Sequence, residues 1–183
     1  ARALVPRWGA VGNGPEGAGA AALEAARGAA PTGRPRPPRA LGHAKYSFEI
    51  VAHFAAYRDL HRHRMLTQDR QLLGTALGYD VPAGLAELGM EDEFRAAIDA
   101  AAAAHARIER DSGPALAQYV VPLAFRLRWY FRVNLREIYH LCELRTTPQG
   151  HPDYRWVPTG MLRPGAERHP PPARSPQVGG VGA

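Results

Sequence analysis

The sequence predicts a fold that mixes helix and strand, and three observations carry that prediction. Apolar residues recur at helical spacing within 46–61 and again within 91–110. Residues 125–133 alternate strictly between apolar and polar. A capped helical pattern begins directly after them, at Asn134.

The first pattern is read as one helix over about 46–61. Ile50, Phe54, Tyr57 and His61 recur at spacings of four, three and four, which puts them on one stripe. Four adjacent bases, His61-Arg62-His63-Arg64, close it. Cations at a helix C-terminus gain about 0.3–1 kcal/mol from the macrodipole. That accounts for one or two bases. Four adjacent ones repel each other and call for an anion nearby.

The turn GYDVPAG at 78–84 leads to a second helix of about 91–110. Glu91, Asp92 and Glu93 suit its first turn. Phe94, Ile98, Ala101, His105 and Ile108 form its expected buried stripe, and Gly113-Pro114 ends it. In the strand FRLRWYFRV, Phe125, Leu127, Trp129, Phe131 and Val133 face one way. Arg126, Arg128, Tyr130 and Arg132 face the other, toward solvent or a cleft. Asn134 then caps a helix with Glu137 three residues on, a spacing like that of a capping box. Leu135, Ile138, Leu141 and Cys142 make its apolar face, and it stops near Thr146-Thr147-Pro148.

The ends differ from this patterned core. Residues 1–40 hold 6 Pro and 7 Gly, and 158–183 repeat the bias with HPPPARSP. The organisation expected is a disordered linker over 1–42, a domain over 43–157 and a disordered tail over 158–183. The 183 residues suit one domain of ordinary size. The chain opens mid-pattern without Met, and is read as a piece of a longer protein or one half of a duplicated one.

Net charge is +6, but its distribution argues against a nucleic-acid binder. Residues 43–157 hold 14 Lys and Arg against 14 Asp and Glu, and the ends hold the other 9 bases and 3 acids. No apolar run reaches the length of a membrane span. The single cysteine, Cys142, excludes an internal disulfide and fits a reducing, cytoplasmic setting.

Several chemistries are set aside on spacing. His53, His61 and His63 lack a Cys, Asp or Glu at a convincing distance along the chain, so no metal is expected. Cys142 and His140 lie two apart on a helix and point away from each other, so they share no proton. No P-loop and no GxGxxG after a strand is present. What remains is arginine, whose planar donor fork suits phosphates and carbonyl-rich rings. It is concentrated at 62–64 and across 126–145.

These residues resemble a known family. Arg62-His63-Arg64 resembles the RHR signature of flavin-dependent thymidylate synthases. Asn134-x-Arg136, His140 and Leu144-Arg145 resemble that family's N-x-R…(N/H)…L-R helix, and Val121-Pro122 resembles the Leu-Pro ahead of its strand. The resemblance spans about 43–157. It implies an α+β fold, a twisted antiparallel sheet with long packed helices, assembled as a homotetramer with sites where subunits meet. It implies conversion of dUMP to dTMP, with methylenetetrahydrofolate giving the carbon and FAD, reduced by NADPH, giving the hydride. By resemblance, Arg62, His63, Arg64, Asn134, Arg136 and His140 contact FAD. Arg62 also lies near dUMP, and Arg145 holds the uracil and promotes ionisation at its N3.

Four positions depart from the family pattern. Arg70 stands where the family has Glu, Leu72 where it has Ser, and Gly74 and Gln118 where it has Arg. All four lost groups belong mainly to nucleotide holding. Two readings follow: a divergent thymidylate synthase with a tandem sister domain or second copy supplying dUMP contacts, or a non-catalytic domain of the same fold acting in assembly or flavin binding.

Overall fold

The computed structural model describes residues 3–7 and 39–168. It mixes helices with one small antiparallel sheet, as the α+β expectation requires. The strands are β1 (Ala3–Arg7), β2 (Lys45–His53), β3 (Leu66–Arg70) and β4 (Arg126–Asn134), in the order β1-β2-β4-β3. The helices are α1 (Phe54–Leu60), α2 (Glu91–Ser112), α3 (Leu135–Arg145) and α4 (Pro152–Arg168). Short helical turns stand at Arg39–Gly42, Gly84–Glu87, Pro114–Ala117 and Gln118–Val120. Among the described residues no helix is long and apolar enough to cross a membrane. The expected linker falls largely outside the described residues, as do 169–183 of the expected tail, while α4 runs on through residue 157.

One expectation needs correction. Residues 46–61 are not one helix but β2 followed by α1, and α1 ends at Leu60, before the four bases. The deciding pattern has period two: Tyr46, Phe48, Ile50 and Ala52 are buried, with less buried residues between them. Aromatic and β-branched residues at alternate positions favour the extended backbone. The helical spacing from Ile50 to Phe54 spans the junction between the two elements. His53 marks that junction, because its Nδ1 accepts from Ala56 N at 3.1 Å, the bond an N-cap side chain makes. The main-chain N–H groups of Phe54 and Ala55 donate to Phe125 and Leu123 carbonyls, so the start of α1 is satisfied by backbone.

The chain divides into two compact units. The first holds Val51–Asp59 and Asp69–Trp129. Its core includes Ala56, Ile98, Ala117, Phe125, Leu127 and Trp129, with Tyr57 edge-on to Trp129 at 5.4 Å. Helix α2 turns Ile98 and His105 inward as expected, and half-buries Phe94, Ala101 and Ile108. It ends at Gly113, whose φ of 87° is open to glycine but strained for other residues, and Pro114 starts the next turn. Arg126 is no solvated strand charge. Its Nε and Nη2 donate to Asp80 Oδ1 at 3.2 and 2.6 Å, and its Nη1 donates to Leu77 O. The turn it holds passes through Gly78, where φ is 71° and an added Cβ would meet Arg126 Nη1 at 3.3 Å.

Among the described residues, the second unit holds 4–7, 39–50, 60–68 and 130–168. Phe48, Ile50, Leu60, Phe131, Val133, Ile138 and Leu141 are all within 2% of full burial. Helix α3 presents the expected face of Leu135, Ile138, Leu141 and Cys142, and packs on α4 and the turn Arg39–Gly42. Asn134 Oδ1 accepts from Glu137 N at 2.8 Å, the predicted cap.

Candidate functional site

His63 sits in the turn after α1, and is 6% exposed while its neighbours Arg62 and Arg64 are exposed. A turn between a buried helix end and β3 turns one side chain inward and leaves the flanking two in solvent. Its main-chain N–H donates to Leu60 O at 3.2 Å. Its ring is held from two sides by α3. His63 Nδ1 lies 3.0 Å from Glu137 Oε1, and Arg145 Nε donates to His63 Nε2 at 3.2 Å. The His140 ring stands edge-on to it, with centroids 5.9 Å apart. The turn and α3 therefore meet within one unit, as a guanidinium-lined site requires.

Glu137 is the member of this cluster that sequence reading missed. The capping-box spacing places its carboxylate at the cap, but the residue is 7% exposed and turned to His63, 74 positions away in the chain. Spacing alone carries no signal of that pairing. Arg145 is half-buried in the last turn of α3, and its guanidinium carbon lies 5.9 Å from the Tyr154 ring centroid on α4. Among the described residues, its two terminal nitrogens have no hydrogen-bond partner. Asn134, as cap of α3, is half-exposed, while Arg136 and His140 are exposed on the helix surface. Arg62, Arg64 and Arg136 form no salt bridge among the described residues.

Ligand atoms of His63, Glu137 and His140 come within 4.8 Å of one another, a spacing open to a metal. The guanidinium donating to His63 opposes a cation there, and the His63–Glu137 hydrogen bond already satisfies both buried groups. Cys142 is a core residue. Its thiol donates to Pro158 O at 3.2 Å, and burial, with a smaller effect of Glu143, pushes its pKa far up. It is no nucleophile.

The four departing positions lie in the first unit, where Arg70 and Gln118 are joined. Gln118 Oε1 accepts from Leu73 N at 2.9 Å and from Arg70 Nη1 at 3.4 Å. Arg70 also donates to Gln71 O. Gly74 leaves room against His105, since an added Cβ would stand 3.9 Å from its Nε2. Leu72 is 53% exposed, an apolar group where the resemblance expects a hydroxyl.

Comparison with known proteins bears on these residues. Residues 32–171 match the family model described as thymidylate synthase complementing protein. A protein of Chlamydia muridarum named "UPF0159 protein" is 46% identical over 148 residues, 81% of this chain and 28% of that protein. A Chlamydia pneumoniae protein of the same description is 45% identical over 141 residues, 77% of this chain and 26% of its own length. One from Thermoplasma acidophilum is 36% identical over 126 residues, 68% of this chain and 25% of its own. The chain thus spans about a quarter of the length of the curated relatives it matches.

Proposed function

Because this chain belongs to the family of thymidylate synthase complementing proteins, we propose that it forms part of an FAD-dependent thymidylate synthase that converts dUMP to dTMP. The observation that carries this reading is the joining of the RHR turn to α3 through Arg145, His63 and Glu137. Methylenetetrahydrofolate and NADPH are the co-substrates, and a second copy or tandem sister domain is the partner. A reducing, cytoplasmic location belongs to the same reading, supported by the one buried thiol.

The donor set fits a flavin nucleotide. Arg62, Arg64 and Arg136 offer exposed guanidinium groups and His140 an exposed imidazole, while the one acid bonded within this cluster, Glu137, is buried. These residues would hold the diphosphate and ring edges, with Asn134 adding a carboxamide at the start of α3. His63 offers a ring face rather than a polar contact, because both its nitrogens are used within the protein. FAD, when bound, supplies the hydride that completes the methyl group. Arg145 acts on the pyrimidine: a fixed guanidinium beside N3 stabilises the ring anion and so raises nucleophilicity at C5. The protein needs no nucleophile of its own, in keeping with the inert Cys142.

The test is direct. Purified protein should be yellow with flavin absorbance, and should release tritium from 5-tritiated dUMP when given methylenetetrahydrofolate and NADPH. A second reading has its own support. Arg70 and Gln118, bonded to each other, occupy positions where the resemblance expects dUMP-holding groups, which favours a non-catalytic domain that keeps the fold and the flavin side. Flavin binding without tritium release, in the full-length protein, would select that reading.

A further inference from the structure

Glu137 has a neighbour whose chemistry it decides. Imidazole can carry its proton on either nitrogen, and the partners on each side choose which. At His63 the two partners are of opposite kinds. Glu137 Oε1, 3.0 Å from Nδ1, is an acceptor in its carboxylate form. Arg145 Nε, 3.2 Å from Nε2, is only a donor, since guanidinium has no lone pair to give. With the proton on Nε2, two N–H groups would face each other at Arg145 and two lone pairs would face each other at Glu137. With protons on both, the Arg145 contact alone would be N–H against N–H. Only the Nδ1–H tautomer makes both contacts hydrogen bonds.

We infer that Glu137 is a positioning residue: it sets His63 as the Nδ1–H tautomer, whose bare Nε2 fixes the guanidinium of Arg145 toward its ligand. The chain of contacts runs carboxylate, imidazole, guanidinium. It engages Nε of Arg145 and leaves Nη1 and Nη2 to meet a ligand, while the Tyr154 ring backs the guanidinium from α4. Because His63 and Glu137 are 6% and 7% exposed, water competes little for either bond. The inference deepens the reading in which Arg145 meets the pyrimidine of dUMP, but its first test needs no ligand.

That test is nitrogen-15 NMR of histidine and arginine side chains in the ligand-free protein at about pH 8, above the ordinary imidazole range. His63 is assigned by its absence in His63→Gln. The expected result is a protonated Nδ1, a bare Nε2 and a scalar coupling across the hydrogen bond from Arg145 Nε to His63 Nε2. Glu137→Gln should keep this pattern, since an amide oxygen can accept from Nδ1. Glu137→Leu should lose the coupling and move His63 toward Nε2–H. Arg145→Met should leave the Nδ1–H tautomer in place. A wild-type His63 that is mostly Nε2–H, or protonated on both nitrogens, overturns the proposal. So does a folded Glu137→Leu protein that keeps the Nδ1–H tautomer. Should Glu137→Leu fail to fold, Arg145→Met decides, because a switch to Nε2–H there would make Arg145 the setter.

In the active protein, Glu137→Leu should lower kcat at least tenfold with flavin absorbance unchanged, and Glu137→Gln should restore most of it. Undiminished kcat in Glu137→Leu would remove the positioning role. Absent dUMP binding alongside an intact tautomer pattern would instead sink the functional reading alone.

Discussion

Arg145 and His63 occupy different positions in the same chain of contacts, so their variants should fail differently. Lys in place of Arg145 keeps a charge but lacks the Nε–H that meets His63 and the planar fork that would meet a pyrimidine. Arg145→Lys is expected to abolish tritium release while the protein stays yellow. His63→Ala removes the side chain packed inside the turn between Arg62 and Arg64, and flavin absorbance per protein is expected to fall. Full flavin occupancy in that variant would contradict the role given to the turn. Arg62, His63, Arg64, Arg136 and Arg145 stand out in the sequence because they cluster in two short segments. Glu137 does not stand out: it reads as a cap partner, and its true partner lies 74 residues away. Gln118 was equally opaque. As an exchange for Arg it reads as a loss, whereas it accepts from Leu73 N and joins Arg70 to the turn Gln118–Val120. Gln118→Ala should cost about 1 kcal/mol of stability by urea unfolding, the net worth of such a bond.

Elements were legible where a single periodicity ran their whole length. The strand of 125–133 and the helices after Met90 and Asn134 have such patterns, and each appears within a residue or two of its expected span. The stretch from 46 to 61 holds two short periods in series, and a window wide enough to see either one averages them. β3, with only five residues and none of them buried, had no pattern to show. Element-scale energetics can be checked at α3 and β4. Asn134→Ala removes the acceptor for Glu137 N and should cost about 1 kcal/mol, read as a shift in the urea midpoint. Phe131 is fully buried on β4, and Phe131→Ala should cost about 3–5 kcal/mol. A much smaller loss at Phe131 would contradict the burial of that face.

Stability should respond to alkaline pH at Cys142. Burial holds the Cys142 thiol protonated in the folded protein to a pKa far above that of the unfolded chain. A group whose folded pKa is raised stabilises the fold fully below its unfolded pKa, and that contribution is lost as pH climbs beyond it. Above about pH 8.5 the unfolded chain releases this proton and the folded one keeps it, so stability falls by at most about 1.4 kcal/mol per pH unit. Urea unfolding from pH 7 to 10 should show this slope, and Cys142→Ala should flatten it relative to the parent. At the same scale, the balance of acids and bases between 43 and 157 was readable directly, and so was the family resemblance. The extent of the matched region was not: it runs over 32–171, into Pro-rich sequence that composition alone assigns to linkers.

The seclusion of Cys142 has a practical consequence. Maleimide reagents should find no target while the protein is folded, because the sole thiol is buried and turned to a carbonyl of α4. A cysteine introduced at Tyr119, which is 86% exposed, could then carry one fluorophore at one known place. Any slow second labelling would count the moments at which α3 and α4 come apart.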